Sequence, residues 1–388
     1  MQESSSVTAD KALYSQAVGP NDMNEVGTKK EEMDTPALLI DLDLMEKNIS
    51  TMADFFKAKK ARLWPHTKVH RTPILAHKQI QSGAQGICCQ KVRQAEIMAA
   101  SGIESILIPN IVATPGKIDR LVNLAKHTDI TVLVDDSKNG ELLSKAALEK
   151  DVTLKVMIDV HVGAQRFGAE PGQASLKLAR QITALRGLRL TGLVGNVGHL
   201  SSIEPRDQRR KQVEKAESLL VDTKKLIEKA GIKIEEISSG STGSYDVSAG
   251  NPEVTQVRAG SYILMDYPYH EHVPEFDCAL TVLSTVISKH PDGIIVLDAG
   301  MMSISSAQGN PRILPTEPLE IDSVELHELH AENTLLKIKK PVRIEVGDKM
   351  ELIPSYLDAT VICHEKLHGM RKGQVELVAD ILGRNAST

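Results

Sequence analysis

The chain has 388 residues, with 46 Lys and Arg against 51 Asp and Glu and a formal net charge of −5. Hydrophobic residues make up 41% of it, which is ordinary for a globular protein and too high for a disordered one. The slightly acidic balance, with no long basic run, argues against a nucleic-acid or an anionic-membrane partner. Aromatic residues are only 3%, so the core must be built mainly from aliphatic side chains and Met.

Cysteine content and the N-terminal segment predict the compartment. The four cysteines, Cys88, Cys89, Cys278 and Cys363, have no spacing typical of a zinc site or a disulfide framework. Residues 1–34 are polar, unlike a secretory leader, and no apolar run reaches the roughly 18 residues of a membrane span. We therefore expect a cytoplasmic protein without a transmembrane helix.

From residue 35 onwards, short apolar runs alternate with longer segments that have helical spacing, which is the pattern of a parallel sheet. Eight such units in about 230 residues match a (β/α)8 barrel in number and size. An open, doubly wound sheet is the alternative. The eight runs are Ala37–Leu42, Leu63–Lys68, Gly86–Gln90, Ser105–Asn110, Ile130–Asp135, Leu154–Val160, Leu188–Asn196 and Ile234–Ser239.

After Tyr267 the pattern changes to short strands separated by Gly, Pro, Asp and Asn turns. We predict a barrel over residues 35–270, a β-rich domain over 271–388, and a tail or packing arm over 1–34. The predicted strands of the β-rich domain are Cys278–Ser288, Gly293–Asp298, Thr334–Ile338, Pro341–Val346, Asp348–Ile353 and Ala359–Cys363.

Lys68 ends the second apolar run, between His66 and His70. Reactive groups of such barrels lie at the carboxyl ends of the strands. A lysine at that mouth is partly desolvated and close to other cations, which favours the neutral amine that can capture an aldehyde as a Schiff base. A surface lysine at a strand end is the alternative.

The eighth run leads into Ser239-Gly240-Ser241-Thr242-Gly243-Ser244. Small residues allow successive backbone N–H groups to close on a phosphate, and the loops after strands seven and eight of such barrels often bind one. An ordinary Gly/Ser turn is the alternative. A mouth lysine and a distal phosphate loop together suggest pyridoxal 5'-phosphate (PLP).

A third group should then face the pyridine nitrogen of PLP, and Arg258 is the candidate. It follows the eighth run in an otherwise apolar stretch, and an arginine can only donate, which leaves the ring nitrogen unprotonated. A buried salt bridge with Glu253 or Asp266 is the alternative.

Four further residues at strand ends are weighed against structural roles. His161 and His199 are positioned to stack on the cofactor or hydrogen-bond to it, or to make structural hydrogen bonds only. Gln90 is a candidate partner of the ring hydroxyl, or a helix cap. Asp159 is expected to fix a neighbouring side chain.

These residues together resemble a known family. Thr35–Asp41, Pro65–Lys68, the Gly240–Gly243 loop and Asp298-Ala299-Gly300 resemble the D-threonine aldolases and D-serine dehydratases, fold-type III PLP enzymes with an alanine-racemase-like barrel and a C-terminal β domain. The resemblance implies that Lys68 holds PLP, and by analogy it implies a homodimer. The other cofactor-binding residues that it implies are Arg166 near the ring hydroxyl, Gly240, Ser241, Thr242 and Gly243 at the phosphate, and Arg258 at the ring nitrogen.

The sequence departs from this family at the metal site. The family's His-x-Asp or His-x-Cys pair, which binds a divalent metal, corresponds to Tyr356-Leu357-Asp358. A neutral phenol is a poorer metal ligand than imidazole. Three other positions also differ from the family pattern: Asn196, Met302 and Asn333.

Three interpretations of Tyr356 follow. In the first, a divalent metal (Mn, Mg or Zn) persists on Asp358 with water or with His330, His364 or His368. In the second, the metal is absent and Tyr356 is a general acid/base opposite Lys68. In the third, Tyr356 fills space.

We therefore predict a PLP-dependent lyase that acts on a small β-hydroxy D-amino acid, as an aldolase or a dehydratase. The alternatives are a metal-independent amino-acid racemase or epimerase that uses Lys68 and Tyr356, and a non-catalytic PLP-binding protein. The expected partner is a small amino-acid substrate.

Overall fold

A computed structural model describes residues 26–314 and 323–388, which form two compact units. The barrel unit consists of Ser50–Lys68, Leu75–Gly260 and Ala386–Thr388. The β-rich unit consists of residues 26–49, Val69–Ile74 and Ser261–Asn385, except for 315–322, which lie outside the described residues. The chain therefore contributes to the β-rich unit before, within and after the barrel sequence.

The first strand, β1 (Ala37–Asp41), does not belong to the barrel, although the sequence predicts it as the first barrel strand. Its residues pair antiparallel with Leu280–Leu283 and parallel with His368–Met370. The prediction is wrong because a buried apolar run has the same composition in either sheet, and only its distant pairing partners distinguish the two.

Eight parallel strands form the sheet of the barrel unit, as the fold class predicts. In space their order is the second strand of the chain, then the ninth, and then back through the eighth to the third. They are β2 (Arg62–Leu63), β3 (Ile87–Cys88), β4 (Ser105–Ile111), β5 (Asp129–Val134), β6 (Leu154–Val160), β7 (Leu188–Gly195), β8 (Glu236–Ser239) and β9 (Gln256–Val257).

The two end strands of this order, β2 and β3, also join each other. The N–H of Cys88 donates to the carbonyl of Pro65 at 2.8 Å, and the N–H of Gln85 donates to that of Leu63 at 3.1 Å. His66 and Cys88 form a parallel bridge. These bonds close the sheet on itself, so the predicted (β/α)8-type barrel is confirmed, with β9 in the place predicted for β1.

The strand β9 is only two residues long and was not predicted from the sequence. It pairs with β2 through Gln256 and Arg62 on one side and with β8 through Val257 and Ser239 on the other. Two residues carry no periodicity, so only the gap between β8 and β2 identifies the segment as a strand.

The barrel core is aliphatic, as the composition predicts. One cluster crosses five neighbouring strands and is fully buried: Cys88, Leu107, Leu133, Met157 and Val194. Cys88 and Cys89 are both buried, which confirms them as small core residues, and burial raises the pKa of each thiol to about 12.

Helices separate the barrel strands, and local signals fix where some of them begin. The carboxylate of Asp136 accepts the N–H groups of Lys138 and Asn139 at the start of one helix, and Pro115 is the first residue of another. The helices of the chain are α1 (Leu42–Lys57), α2 (Pro73–Gln81), α3 (Val92–Ala100), α4 (Pro115–Leu124), α5 (Ser137–Glu149), α6 (Gln173–Ala184), α7 (Arg206–Lys229), α8 (Tyr245–Ser248), α9 (Tyr267–His272) and α10 (Leu357–Val361).

The β-rich unit is a mixed sheet of nine strands, in which β1 lies between β10 and β16. The others are β10 (Leu280–Lys289), β11 (Ile294–Leu297), β12 (Arg312–Ile313), β13 (Val324–Leu329), β14 (Thr334–Ile338), β15 (Lys349–Ile353), β16 (Lys366–Arg371) and β17 (Gln374–Asp380).

Two strands predicted for this unit are wrong. Pro341–Val346 pairs with no strand: Pro341 lacks a backbone N–H, and Gly347 turns the chain with φ +101°. Ala359–Cys363 lies partly in α10, because the carbonyl of Tyr356 accepts both the N–H and the hydroxyl of Thr360, at 3.3 and 2.9 Å. A β-branched run therefore became helical through local hydrogen bonding.

The first described residues, from residue 26 onwards, pack on this sheet. The N–H of Gly27 donates to the carbonyl of Val375 at 2.8 Å, and that of Lys30 donates to Gly373 at 3.0 Å. Of the tail or arm predicted over residues 1–34, residues 1–25 lie outside the described residues. In the part of the chain that the structure describes, no helix has the length and apolarity needed to cross a membrane.

Gly192→Ala should destabilise the barrel. A Cβ at this position in β7 would collide with the carbonyl oxygen of Glu236 and lie 2.6 Å from Cε of Met157. Overpacking of this kind costs ~1–3 kcal/mol, which urea unfolding would measure. Gly116→Ala, where a Cβ meets nothing within 4 Å, is the control and should lose no stability. An unchanged urea midpoint for Gly192→Ala would contradict this account of the packing.

Candidate active site

The carboxyl ends of the barrel strands lie at one rim, because all eight strands run parallel. Polar side chains follow these ends in the order that the sequence predicts. They are His66 and Lys68 after β2, Gln90 after β3, Asp159 within the end of β6, His199 after β7, Ser241 and Thr242 after β8, and Arg258 after β9. The rim is therefore the candidate site of the barrel unit.

Lys68 lies in a 3-10 turn, Thr67–Val69, directly beyond β2. The Thr67 hydroxyl donates to the carbonyl of Cys88 at 3.0 Å, which ties the turn to the end of β3. The Lys68 N–H points to Nδ1 of His66 at 3.4 Å, and the residue is half-buried. The packing of β2 against β3 thus fixes the backbone from which the Lys68 amine extends.

Gln90 is held beside this turn by its side chain and its backbone. Its side-chain oxygen lies 3.1 Å from Nε2 of His66, and its carbonyl accepts from the Asn110 amide at 3.1 Å. The N-cap of α3 is the next residue, Lys91, so the helix-capping alternative for the Gln90 side chain is not what the structure contains. Because Nδ1 of His66 faces the Lys68 N–H, Nε2 is the nitrogen that donates to Gln90.

Arg258 is buried at the rim, with 8% of its surface exposed. Its Nη2 donates to the carbonyl of Gly195, at the end of β7, at 2.9 Å, and its Nε has no hydrogen-bond partner in the described chain. The alternative ion pair with Glu253 does not form, because Glu253 pairs with Lys224 at 2.5 Å. The carboxylate of Asp266, the other alternative, accepts the backbone N–H groups of Tyr269 and Leu357.

Asp159 lies near Arg258 and is 2% exposed. Its Oδ1 has no hydrogen-bond partner among the described residues. Burial raises the pKa of this carboxyl to about 7, and the charge of Asp135 adds to the rise, whereas Arg258 and Arg166 oppose it. Asp159 therefore titrates near neutrality within the barrel.

His199 lies in a 3-10 turn, Gly198–Leu200, after β7. Burial lowers the pKa of its imidazole, and the positive charges of Arg166 and His161 lower it further, whereas the hydrogen bond that the imidazole donates to the backbone carbonyl of Asn196 raises it. Because this pKa is lowered from the ordinary value of histidine, His199 is neutral at physiological pH. A neutral ring can stack on an aromatic cofactor without the cost of burying a charge.

Gly240 opens the predicted phosphate loop with φ +82°, a conformation that favours glycine. A Cβ there would lie 2.8 Å from Cγ1 of Val257 and 3.1 Å from Oγ of Ser248. Only glycine therefore lets the backbone turn this closely beside β9.

The rest of the loop is built around Ser241. Its hydroxyl lies 2.7 Å from that of Ser201 and 3.1 Å from that of Ser244, and its N–H donates to Ser244. Gly243 packs on Ser201: a Cβ at Gly243 would lie 2.6 Å from Cβ of Ser201. The segment thus forms a compact turn of small residues and hydroxyls after β8, as predicted.

Among the described residues, eight buried side-chain atoms have no hydrogen-bond partner, and native proteins contain few such atoms. Five belong to residues on or just after the barrel strands β6, β8 and β9: Nε of Arg258, Oδ1 of Asp159, and the hydroxyls of Ser238, Ser239 and Ser248. The other three are Oδ1 of Asn139, Oε1 of Glu217 and Oε1 of Gln256. A ligand with a phosphate, a heteroaromatic ring and an aldehyde has matching groups for the small-residue loop, the arginine and the lysine. The residues present therefore fit PLP.

In the β-rich unit, Tyr356 and Asp358 interact with each other and with Arg71. The Tyr356 hydroxyl donates to Oδ2 of Asp358 at 3.2 Å, and the charge of Arg71 acts on both. Burial raises the pKa of the Tyr356 phenol to about 12, with contributions from Asp358 and from the charge of Asp266. Tyr356 is thus a protonated donor at neutral pH.

The histidines that were weighed as metal ligands hydrogen-bond or pair elsewhere. His364 and His368 face the carbonyls of Ser303 and Leu38, at 2.8 and 3.3 Å, and His330 pairs with Glu328 at 2.9 Å. Within 26–314 and 323–388, no three His, Cys, Asp or Glu side chains are grouped to hold a metal ion. The donor set therefore does not fit a divalent metal at Asp358.

The sequence reasoning missed Arg71 and two serines of the rim, Ser201 and Ser248. Arg71 follows the Lys68 motif by three positions, but its neighbours Tyr356 and Asp358 are almost 300 residues away in the sequence. The backbone φ of Arg71, +54°, is unusual, but it is a property of the folded chain and cannot be seen in the sequence. The serines lie outside the glycine loop and approach it only through folding.

Comparison with known proteins identifies both parts of the chain. The family model of the alanine racemase N-terminal domain matches residues 40–268, and that of a putative serine dehydratase domain matches residues 279–370. The D-threonine aldolase of an Arthrobacter species is 31% identical over 366 residues, which cover 93% of this chain and 95% of the relative. The 3-hydroxy-D-aspartate aldolase of Paracoccus denitrificans (strain Pd 1222) is 31% identical over 369 residues, or 92% and 94% of the two chains.

A solved structure agrees with these relatives. The D-threonine aldolase from Filomicrobium marinum superposes with a TM-score of 0.89 at 31% identity, covering 94% of this chain and 99% of that one. The resemblance seen in the sequence is thereby confirmed over nearly the whole chain, and the chain belongs to the D-threonine aldolase and D-serine dehydratase family, with its alanine-racemase-like barrel.

Proposed function

We propose that this chain is a PLP-dependent lyase that acts on a small D-amino acid with a β-hydroxyl group. It would either cleave the Cα–Cβ bond, as an aldolase, or eliminate the hydroxyl, as a dehydratase. The observation that carries the proposal is the rim of the barrel unit, where a half-buried lysine, a loop of small residues and a buried arginine with an unpartnered Nε lie at strand ends of one sheet.

Each of these residues has a separate task in holding the cofactor. Lys68 would bind the aldehyde carbon, and the turn Gly240–Gly243 would bind the phosphate through its backbone N–H groups and the hydroxyls of Ser241 and Thr242. Arg258 would face the ring nitrogen, Gln90 and Arg166 the ring hydroxyl, and His199 the ring face. When bound, PLP provides the electron sink for the bond that breaks at Cα.

Arg258 and Asp159 control the charge around the ring nitrogen. A guanidinium remains protonated and only donates, so Arg258 would donate a hydrogen bond to the ring nitrogen and would provide no proton to it. The carboxylate of Asp159 offsets the Arg258 charge when ionised and leaves it uncompensated when neutral. Residues of the barrel would therefore determine how strongly the cofactor ring withdraws electrons.

Besides holding the cofactor, the Lys68 amine would carry a proton to or from Cα of the substrate. A racemase would need a second base of comparable strength, which the sequence assigned to Tyr356. The Tyr356 phenol has a pKa of about 12 and lies beside a carboxylate, so it holds its proton at neutral pH. The arrangement favours lyase chemistry over racemisation.

A non-catalytic carrier of PLP is the remaining alternative. The mixed sheet of nine strands and the match of residues 279–370 to a dehydratase domain both favour an enzyme. The relatives act on D-threonine and 3-hydroxy-D-aspartate, which supports a β-hydroxy D-amino acid as the substrate of this chain. A homodimer in the cytoplasm stays a prediction, which light scattering and cell fractionation would test.

Lys68→Ala should abolish the yellow absorption of the purified protein, because Lys68 is the amine proposed to hold the PLP aldehyde. Lys155→Ala is the matched control: Lys155 is a half-buried lysine at the opposite end of a barrel strand, paired with Asp129 at 2.7 Å. It should keep the absorption band. A colourless wild-type protein in the presence of added PLP would refute the cofactor assignment.

Incubation of the holoenzyme with D- and L-forms of threonine, serine and 3-hydroxyaspartate should give products from D-forms only. Glycine with an aldehyde indicates the aldolase, and a 2-oxo acid with ammonia indicates the dehydratase. Accumulation of the opposite enantiomer without either product set would support the racemase and contradict the lyase.

Asp159→Asn should change how stability depends on pH. The folded pKa of about 7 lies above the ordinary value of 3.8, so the contribution of Asp159 to stability is fully present below the ordinary value and is lost as pH rises through 7. Relative to wild type, cofactor-free Asp159→Asn should gain stability between pH 4 and 8 by at most about 4 kcal/mol in urea unfolding. Asp136→Asn, at an exposed N-cap where Asn caps equally well, should follow wild type. Parallel curves for Asp159→Asn and wild type would show that Asp159 ionises normally.

A further inference from the structure

A cavity of about 530 Å³ lies in the barrel unit between helix α7 and residues 247–253, which run from the end of α8 towards β9. Its volume is within the roughly 300–1,000 Å³ of small-molecule sites in proteins. Both walls belong to the barrel unit, so the shape of the cavity depends on no other part of the chain. We call it the α7 groove; its walls include Glu214, Glu217 and Val221 of α7 and, on the second wall, Val247, Asn251 and Pro252.

Glu217 is the unusual residue of the α7 groove. Only 1% of it is exposed, and a glutamate is almost never so fully buried unless its charge is paired. Its Oε2 accepts the side-chain N–H of Asn251 at 3.0 Å, and this bond joins the two walls. Its Oε1 has no hydrogen-bond partner in the described chain. A carboxylate with one unsatisfied oxygen therefore lies where the two walls of the groove meet.

We propose that the α7 groove binds a small aliphatic amine in its cationic form, with the Glu217 carboxylate as the anion that holds the ammonium group. An ammonium group has three N–H donors and no acceptor, which matches an oxygen that lacks a donor. None of the residues assigned to the cofactor lines this groove. The inference therefore goes beyond the proposed function and does not depend on it.

The charges along the groove favour a cation at Glu217. Two basic side chains line the groove, and each already lies beside a carboxylate. Arg210 is 3.5 Å from Asp246, and Lys225 is 3.9 Å from Asp222. Removing the Glu217 carboxylate from water is costly, and a bound cation offsets that cost, whereas an anion would add to it.

The donor set suits an ammonium group better than a metal ion. Glu214 lies three positions before Glu217 on α7, so the two carboxylates are neighbours on the helix surface. A calcium ion takes six to eight oxygen ligands. Within the parts of the chain that the structure describes, no three His, Cys, Asp or Glu side chains are grouped to hold a metal. Hydrogen bonds to one or two carboxylates are enough for an ammonium group.

Apolar side chains line the rest of the groove. Val221 lies one turn beyond Glu217 on α7 and is half-buried, and Val247 and Pro252 belong to the second wall. An alkyl chain attached to the ammonium group would leave water for contact with these side chains, which is favourable. The ligand is therefore a primary amine with a short aliphatic chain, either a simple amine or an amino acid.

The first test is calorimetric titration of n-butylammonium chloride into the holoenzyme after treatment with sodium borohydride. Borohydride fixes the cofactor irreversibly on its lysine, so the amine cannot exchange onto it, and a protein without cofactor is unaffected. One site with a Kd of about 1 mM or lower is expected. Absence of saturable binding up to about 10 mM would overturn the inference and leave the lyase assignment intact.

The second test locates the site with variants. Glu217→Gln removes the charge and keeps the size of the side chain, so the affinity for n-butylammonium should fall at least about tenfold. Glu228→Gln is the matched control and should bind like wild type, because Glu228 is exposed on the same helix and does not line the groove. Equal Kd values of wild type and Glu217→Gln would overturn the inference.

Val221→Phe narrows the groove and leaves Glu217 in place, so it decides the question if Glu217→Gln does not fold. Its affinity for n-butylammonium should also fall at least about tenfold, with urea midpoints as the check on folding of each variant. Unchanged affinity would place the amine elsewhere and contradict the proposed site.

The third test compares ligands on the wild-type protein and needs no variant. Butanol has the same chain without the charge, butyrate has the opposite charge, and neither should bind saturably up to about 10 mM. Butanol binding as tight as that of n-butylammonium would indicate an apolar cavity only and would overturn the inference. L-Norvaline distinguishes the two sources of the ammonium group: tighter binding than n-butylammonium supports the site with an amino acid as ligand, and equal or weaker binding supports it with a simple amine.

Discussion

The join between β2 and β3 is the interaction on which the candidate active site depends. The N–H of Cys88 donates to the carbonyl of Pro65 at 2.8 Å, and the Thr67 hydroxyl donates to the carbonyl of Cys88 at 3.0 Å. These two bonds close the parallel sheet and fix the turn that carries Lys68. Without closure, β2 and β3 would be open edges of the sheet, and the turn that carries Lys68 would lose its hydrogen bonds to the end of β3, where Gln90 follows.

The rim also contains buried polar groups whose hydrogen-bonding capacity is available to a ligand. Arg258 and Asp159 are buried close to one another, yet each keeps an atom without a hydrogen-bond partner. A carboxyl whose pKa lies near 7 is destabilising in its ionised form in the cofactor-free protein. Such unsatisfied groups are uncommon in a core and typical of a site that a bound molecule completes.

The strand ends could be predicted because each carries a motif that is local in sequence. Lys68 ends an apolar run, the Gly240–Gly243 turn follows one, and Arg258 stands in an apolar stretch, and in the structure each of them lies just beyond a barrel strand. Elements without such local signals were missed. The two-residue strand β9 has no periodicity, and α10 was mistaken for a strand because Thr360 and Val361 are β-branched.

By itself, the sequence determined the alternation of strands and helices, the (β/α)8-type barrel, the family and the order of the polar residues along its strand ends, because these follow from periodicity and short motifs. Only the tertiary structure decided that β1 pairs with β10 and β16, that β9 completes the barrel, and that Arg71 meets Tyr356 and Asp358. The physical reason is that pairing and electrostatic contact depend on distances between residues far apart in the chain, about which the local pattern of side chains contains no information.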